Sequence, residues 1–170
     1  MNRLYILGLV ELLKIHKTYK SGHSVVTAEL KHVDFLASNM REEDVAEVEA
    51  MGHTPKEALL TALARDDFTF TVLDPHKIPY AMFGAGQDEP PYIWMLGTND
   101  VRLYQFEFLK RCREWVWGFV GIYEKVHNYV SLDNKTAIKW LEWCGAVFVG
   151  DVINVNGKDF QRFEIEVKNV

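Results

Sequence analysis

Residues 134–146 constrain this chain more than any other stretch, because they set a capped helix and a helix stop between two strand-like runs. Asn134 is a good N-cap, since its side-chain oxygen can accept from a free N–H of the first turn. Gly145 stands where helices commonly end in a left-handed residue. Between them Ala137, Ile138, Leu141 and Cys144 recur at three- and four-residue steps, one apolar stripe at helical period. Residues 129–132 before the cassette and 147–149 after it read as strands.

The rest of the chain can be read outward from there. Residues 1–20 suggest a helix or a strand–helix mixture, broken by Ser21-Gly22-His23-Ser24. Residues 25–30 read as a strand, and 32–51 as helical with a break near Ser38-Asn39. Thr54-Pro55-Lys56-Glu57 is a capping box with proline at the first helical position. Strands are expected over 68–73, 79–84 and 92–96, separated by Asp74-Pro75-His76-Lys77 and the loop 87–91. A long helical pattern then runs through Leu103, Phe106, Leu109, Cys112, Val116, Phe119, Tyr123 and Val126, with Gly118 and Gly121 placed to end or bend it. Residues 147–155 and 160–167 flank Asn156-Gly157, a strong hairpin signal. This order predicts an α+β fold: a mixed, largely antiparallel central sheet with helices on both faces and a C-terminal β-hairpin. The expected division is a leader over 1–24 and one domain over 25–170.

Composition narrows the function. With 170 residues and 48% hydrophobic content, the chain is long enough for one substantial core. A net charge of −5 argues against a hold on nucleic acid, which needs clustered Lys and Arg. The apolar run 4–10 is far shorter than the ~20 residues of a membrane span, and no signal-peptide cleavage site follows it. Two cysteines, Cys112 and Cys144, fit a reducing compartment better than a disulfide framework. The six histidines show no ligand spacing, so no metal site is expected.

The cassette resembles the last conserved block of the GNAT family of acyl-CoA-dependent N-acyltransferases. Asn134, Ala137, Glu142 and Gly145 fall at the matching positions, and the whole order of elements agrees with that fold. Leu141 stands where the family usually has a tyrosine general acid. The resemblance implies acetyl-CoA as cofactor and an amine as acceptor. It places pantetheine on the strand before the long helix, hence Trp94, Met95, Leu96 and Thr98, with Asn134 beside them. The pyrophosphate loop of the family carries several glycines, whereas residues 97–104 keep only Gly97 and place Asp100 near the expected phosphates. Arg102, Lys110, Arg111 and Arg113 offer compensating charge, though such a run usually forms a solvated helix face. No catalytic residue is assigned. Asp88 and Glu89 are candidate bases, and Tyr129, Tyr123 or water could replace the missing acid.

A narrower resemblance joins residues 92–98, the Arg-rich aromatic helix, His127-Asn128-Tyr129-Val130 and residues 139–148. Together these are similar to a bacteriophage family described as internal virion protein A or phage acetyltransferase-like protein. It implies a phage-encoded protein in the host cytoplasm or the virion. Two functions follow as expectations: acetylation of an amine, or a non-catalytic role in virion or head morphogenesis through phage or host proteins.

Overall fold

In the computed structural model, which describes residues 17–167, eight strands form one sheet. The elements are β1 (Lys17–Thr18), β2 (Ser24–Thr27), α1 (Leu30–Ser38), α2 (Glu42–Ala50), α3 (Pro55–Arg65), β3 (Phe68–Leu73) and β4 (Pro79–Gly86). There follow β5 (Tyr92–Gly97), α4 (Asp100–Leu103), α5 (Gln105–Tyr123), β6 (Lys125–Ser131), α6 (Lys135–Trp143), β7 (Val147–Val155) and β8 (Lys158–Glu166). The spatial order is β1-β2-β3-β4-β5-β6-β8-β7, antiparallel throughout except between β5 and β6. The expected mixed sheet with a C-terminal hairpin is therefore present.

Local chemistry sets most boundaries. Thr54 and Glu57 form the reciprocal capping pair that opens α3. Asn134 Oδ1 accepts from Ala137 N–H at 3.1 Å to open α6. At its other end Gly145, at φ +94°, donates to Glu142, and Ala146 donates to Leu141, the two bonds of a Schellman stop. Asn156 and Gly157, both at positive φ, turn β7 into β8 with only two residues, so β8 begins at Lys158 rather than at 160.

Two expectations shift. The strand expected over 25–30 stops at Thr27, because Glu29 N–H donates to His32 Nδ1 at 3.2 Å and opens α1 instead. The helix α5 runs unbroken through Gly118 and Gly121 and stops after Tyr123, where Glu124 takes φ +65°, so Val126 belongs to β6. Residues 1–16 lie outside the described residues; of those that follow, Lys17–Thr18 form β1, which pairs with β2, and Tyr19 is buried in the core.

Two apolar layers sandwich the sheet. On one face α5 presents Cys112, Trp115, Val116, Phe119 and Val120 at helical steps to Ile93, Val126 and Phe163, with Leu141 and Cys144 of α6 beside them. Across the sheet, Val33 and Leu36 of α1 and Leu59 of α3 close over Met82, Trp94 and Leu96.

Candidate functional site

The sheet is held together poorly at one place. Strands β5 and β6 meet in a single registered pair, Tyr92 with His127, although β5 has six residues and β6 seven. Three contacts fasten this end: His127 N–H donates to the Pro91 carbonyl at 3.0 Å, the His127 Nδ1 lies 2.9 Å from the same oxygen, and Asn128 Nδ2 donates to the Ile93 carbonyl at 2.8 Å. Beyond Ile93 the strands part. The opening is continuous with a cleft of about 940 Å³ lined from both faces of the sheet, by α5 and α6 on one side and by α2 and α3 on the other. That volume lies at the upper end of ordinary small-molecule sites.

Strand alternation decides which backbone groups face the opening. Thr98 N–H donates to the Tyr80 carbonyl, so Thr98, Leu96 and Trp94 turn their backbone groups to β4, and Gly97, Met95 and Ile93 turn theirs to the gap. The Ile93 carbonyl is held by Asn128. At Gly97 both groups are engaged, the N–H by Asp44 Oδ2 at 2.8 Å and the carbonyl by Arg41 N–H at 3.0 Å. Among the described residues, this leaves the Met95 amide and carbonyl facing the cleft.

The clasp on Gly97 is a buried ion pair. Arg41 Nη2 lies 2.8 Å from Asp44 Oδ1, and the two residues are only 4% and 2% exposed. Burial raises the Asp44 carboxyl above its ordinary range, with Arg41 and the Gly97 N–H opposing that shift.

Two further carboxylates look into the cleft. Glu47 of α2 accepts from Asn134 Nδ2 at 2.8 Å. Its carboxyl is raised above the usual value by burial, the Asn134 and Ser131 donors offsetting part of that. Asp66, just after α3, accepts from the Tyr92 hydroxyl at 2.6 Å and from the Trp94 indole. It too is raised by burial, against those two donors.

Of the residues expected at a cofactor, Trp94, Met95, Leu96 and Asn134 line the cleft. Thr98 does not: it is buried beside β4, its Oγ1 accepting from Asp100 N–H at 3.2 Å. Asp88 and Glu89 are exposed in the loop before β5 and do not line the cleft. Tyr123 donates to Asp67 outside the cleft, whereas Tyr129 lines it. Arg111 stacks on Tyr19 and Arg113 on Trp117 and Trp143, and neither faces the opening. Arg102, Lys135 and Lys139 do line its rim, and Asp100 does not.

Sequence reasoning passed over Arg41, Asp44, Glu47 and Asp66. A signal existed for three of them: Arg41, Asp44 and Glu47 recur at three-residue steps, and Asp44 lies one helical turn before the apolar Val48, which places the charges on the inward face of α2.

Comparison with known proteins supports the same scaffold. A family model described as "Bacteriophage T7, probable scaffold protein Gp13" matches residues 71–152, so that stretch is similar to a phage protein family. No curated protein matches the chain by sequence. Among solved structures, the spermidine N-acetyltransferase from Vibrio cholerae in complex with CoA and spermine superposes with a TM-score of 0.63 at 14% identity, over 88% of this chain and 98% of that one. A GNAT-family acetyltransferase from Bacillus anthracis gives 0.64 at 12% identity, over 89% and 98%. An uncharacterized protein from Bacillus halodurans gives 0.67 at 14% identity, over 91% of each chain. With the parted β5 and β6, these likenesses show that the chain has a GNAT-like fold.

Proposed function

We propose that the chain binds an acyl-CoA thioester along β5 and transfers the acyl group to an amine held on the α2–α3 side of the sheet. One observation carries this reading: the sheet is open between β5 and β6, so one cleft reaches both of its faces. The residues present fit such a ligand. Met95 offers an amide and a carbonyl to an extended arm, and Lys135 and Lys139 set positive charge on the rim where phosphates need it. The Vibrio cholerae relative by fold holds CoA and spermine.

The bound thioester supplies an activated acyl carbon. Glu47 is the base that accepts the proton of the attacking amine, and burial sets its affinity for that proton above that of an ordinary glutamate. As the C–N bond forms and the C–S bond breaks, the leaving thiolate needs a proton. Leu141 is packed in the core and has none to give. Tyr92 donates to Asp66, so Tyr129 is the phenol left in the cleft to serve as acid.

A second reading, a phage scaffold or morphogenesis protein in the host cytoplasm or the virion, is favoured by the family match over 71–152 and by the engagement of both Gly97 backbone groups. Calorimetric titration with acetyl-CoA separates the two. The transferase reading expects saturable binding, with Glu47→Gln retaining affinity and losing about 10²- to 10⁴-fold in acetylation of a primary-amine probe. Absence of both heat and thermal stabilisation at millimolar acetyl-CoA ends that reading and leaves the second.

A further inference from the structure

Cys112 sits on α5 and Cys144 at the C-terminal cap of α6, yet their sulfur atoms are 4.0 Å apart. They are not equivalent. Cys112 lines the cleft, whereas Cys144 is fully buried behind it. The Trp140 indole donates to Cys112 Sγ at 2.9 Å, and the Cys144 thiol is within reach to donate to the same sulfur. We propose that Cys112 and Cys144 are a dithiol site that a peroxide oxidises to an intramolecular disulfide, tying together the two helices that wall the cleft. The proposal is independent of whether the cleft binds a thioester.

Donors to Cys112 favour its thiolate: the Cys144 thiol and the Trp140 N–H hold its pKa below the ordinary value, against burial, while the same hydrogen bond and burial push Cys144 up. Cys112 also lines the cleft while Cys144 lies behind it, so Cys112 is the sulfur that a peroxide in the cleft meets first. Its thiolate attacks one peroxide oxygen, forming an S–O bond as the O–O bond breaks, and the departing hydroxide takes up a proton to give water. Cys144 then attacks the sulfenic sulfur, forming the S–S bond and expelling hydroxide, which takes the Cys144 proton. Two thiols are oxidised by two electrons in total, and one peroxide is reduced to two waters. A disulfide needs sulfur atoms about 2 Å apart, so the two side chains must close the present 4.0 Å by rotating toward each other. Such a pair stays reduced in a reducing compartment and closes outside it.

The test treats native full-length protein with stoichiometric hydrogen peroxide and reads intact mass, free thiols and a non-reducing peptide map. The expected result is a monomer lighter by two hydrogens, with no free thiol, the Cys112 and Cys144 peptides linked, and a thermal midpoint raised by several degrees that a reductant reverses. In Cys144→Ser, Cys112 is expected to react with a cyclic-dione probe for sulfenic acid. Two surviving thiols, stepwise oxygen addition to Cys112 without linkage, or a disulfide between two chains would each overturn the proposal.

Discussion

Asn134 uses one side chain to join two helices: its Oδ1 caps α6 through Ala137, and its Nδ2 donates to Glu47 of α2, 87 residues earlier in the chain. Replacing it by alanine removes a cap worth about 0.5–2 kcal/mol and takes a donor from a carboxylate sunk in the cleft. Asn134→Ala is expected to lower Tm by roughly 5–10 °C. Asn134→Asp keeps the cap acceptor but sets a second carboxyl against Glu47. Its deficit should be small in mild acid and grow toward neutral pH, and calorimetry at both would show whether this holds.

The Glu47 carboxyl gives a pH dependence of definite sign. Burial raises its folded-state pKa above the 4.5 of an ordinary glutamate. The folded protein therefore holds this proton to higher pH than the unfolded chain does. The stabilisation is complete below the unfolded value and is lost as pH rises through the folded one. Glu47→Gln does not titrate, so its Tm relative to the parent should become more favourable from pH 5 to pH 8. A difference that stays flat across that range would mean Glu47 is solvated as in the unfolded chain.

Much of this fold is legible because its boundaries are written locally. Thr54 with Glu57, Asn134 with Gly145, and Asn156 with Gly157 each satisfy or redirect the backbone within a few residues, and the structure follows all three. The end of α5 was not legible for the converse reason. Glycines that could stop a helix lie inside it, the left-handed residue that does stop it is Glu124, and Val126 continues the helical apolar period into a strand. At the site, β5 could be placed from its position before the long helix. The three-residue step from Arg41 through Asp44 to Glu47 marks an inward charged face but not its partners, and Asp66 carries no such mark. The character of Glu47 and Asp66 comes from residues 87 and 26 or 28 positions away.

The Arg41–Asp44 pair fixes the start of α2 to the end of β5. Asp44→Ala leaves the Arg41 charge buried and the Gly97 N–H without its acceptor. The expected cost is about 3–5 kcal/mol in urea unfolding. Replacing both residues together, as Arg41→Met with Asp44→Leu, removes the stranded charge along with the pair. That double variant should recover most of the loss, and one as unstable as Asp44→Ala would show that the Gly97 bond, not the charge, dominates.

Two glycines on β4 make room for the aromatic rings of β5, and they differ in what would have to yield. A Cβ at Gly84 would lie 2.3 Å from the Phe68 carbonyl oxygen and 3.0 Å from Trp94 Nε1. The carbonyl belongs to the paired backbone of β3, so the sheet itself must open, and Gly84→Ala is expected to cost at least about 1–3 kcal/mol. At Gly86 the atoms nearest the new Cβ all belong to the Tyr92 phenol, at 2.4–2.6 Å. That ring can swing away, but doing so breaks its hydrogen bond to Asp66. The two costs are therefore separable by a double-mutant cycle. In a Tyr92→Ala background the penalty of Gly86→Ala should largely vanish, since the obstacle and the hydrogen bond have already gone. The penalty of Gly84→Ala should persist there, because the Phe68 carbonyl has not moved. Urea unfolding of the six proteins decides it: equal persistence of both penalties would place the strain at Gly86 in the backbone rather than in the ring.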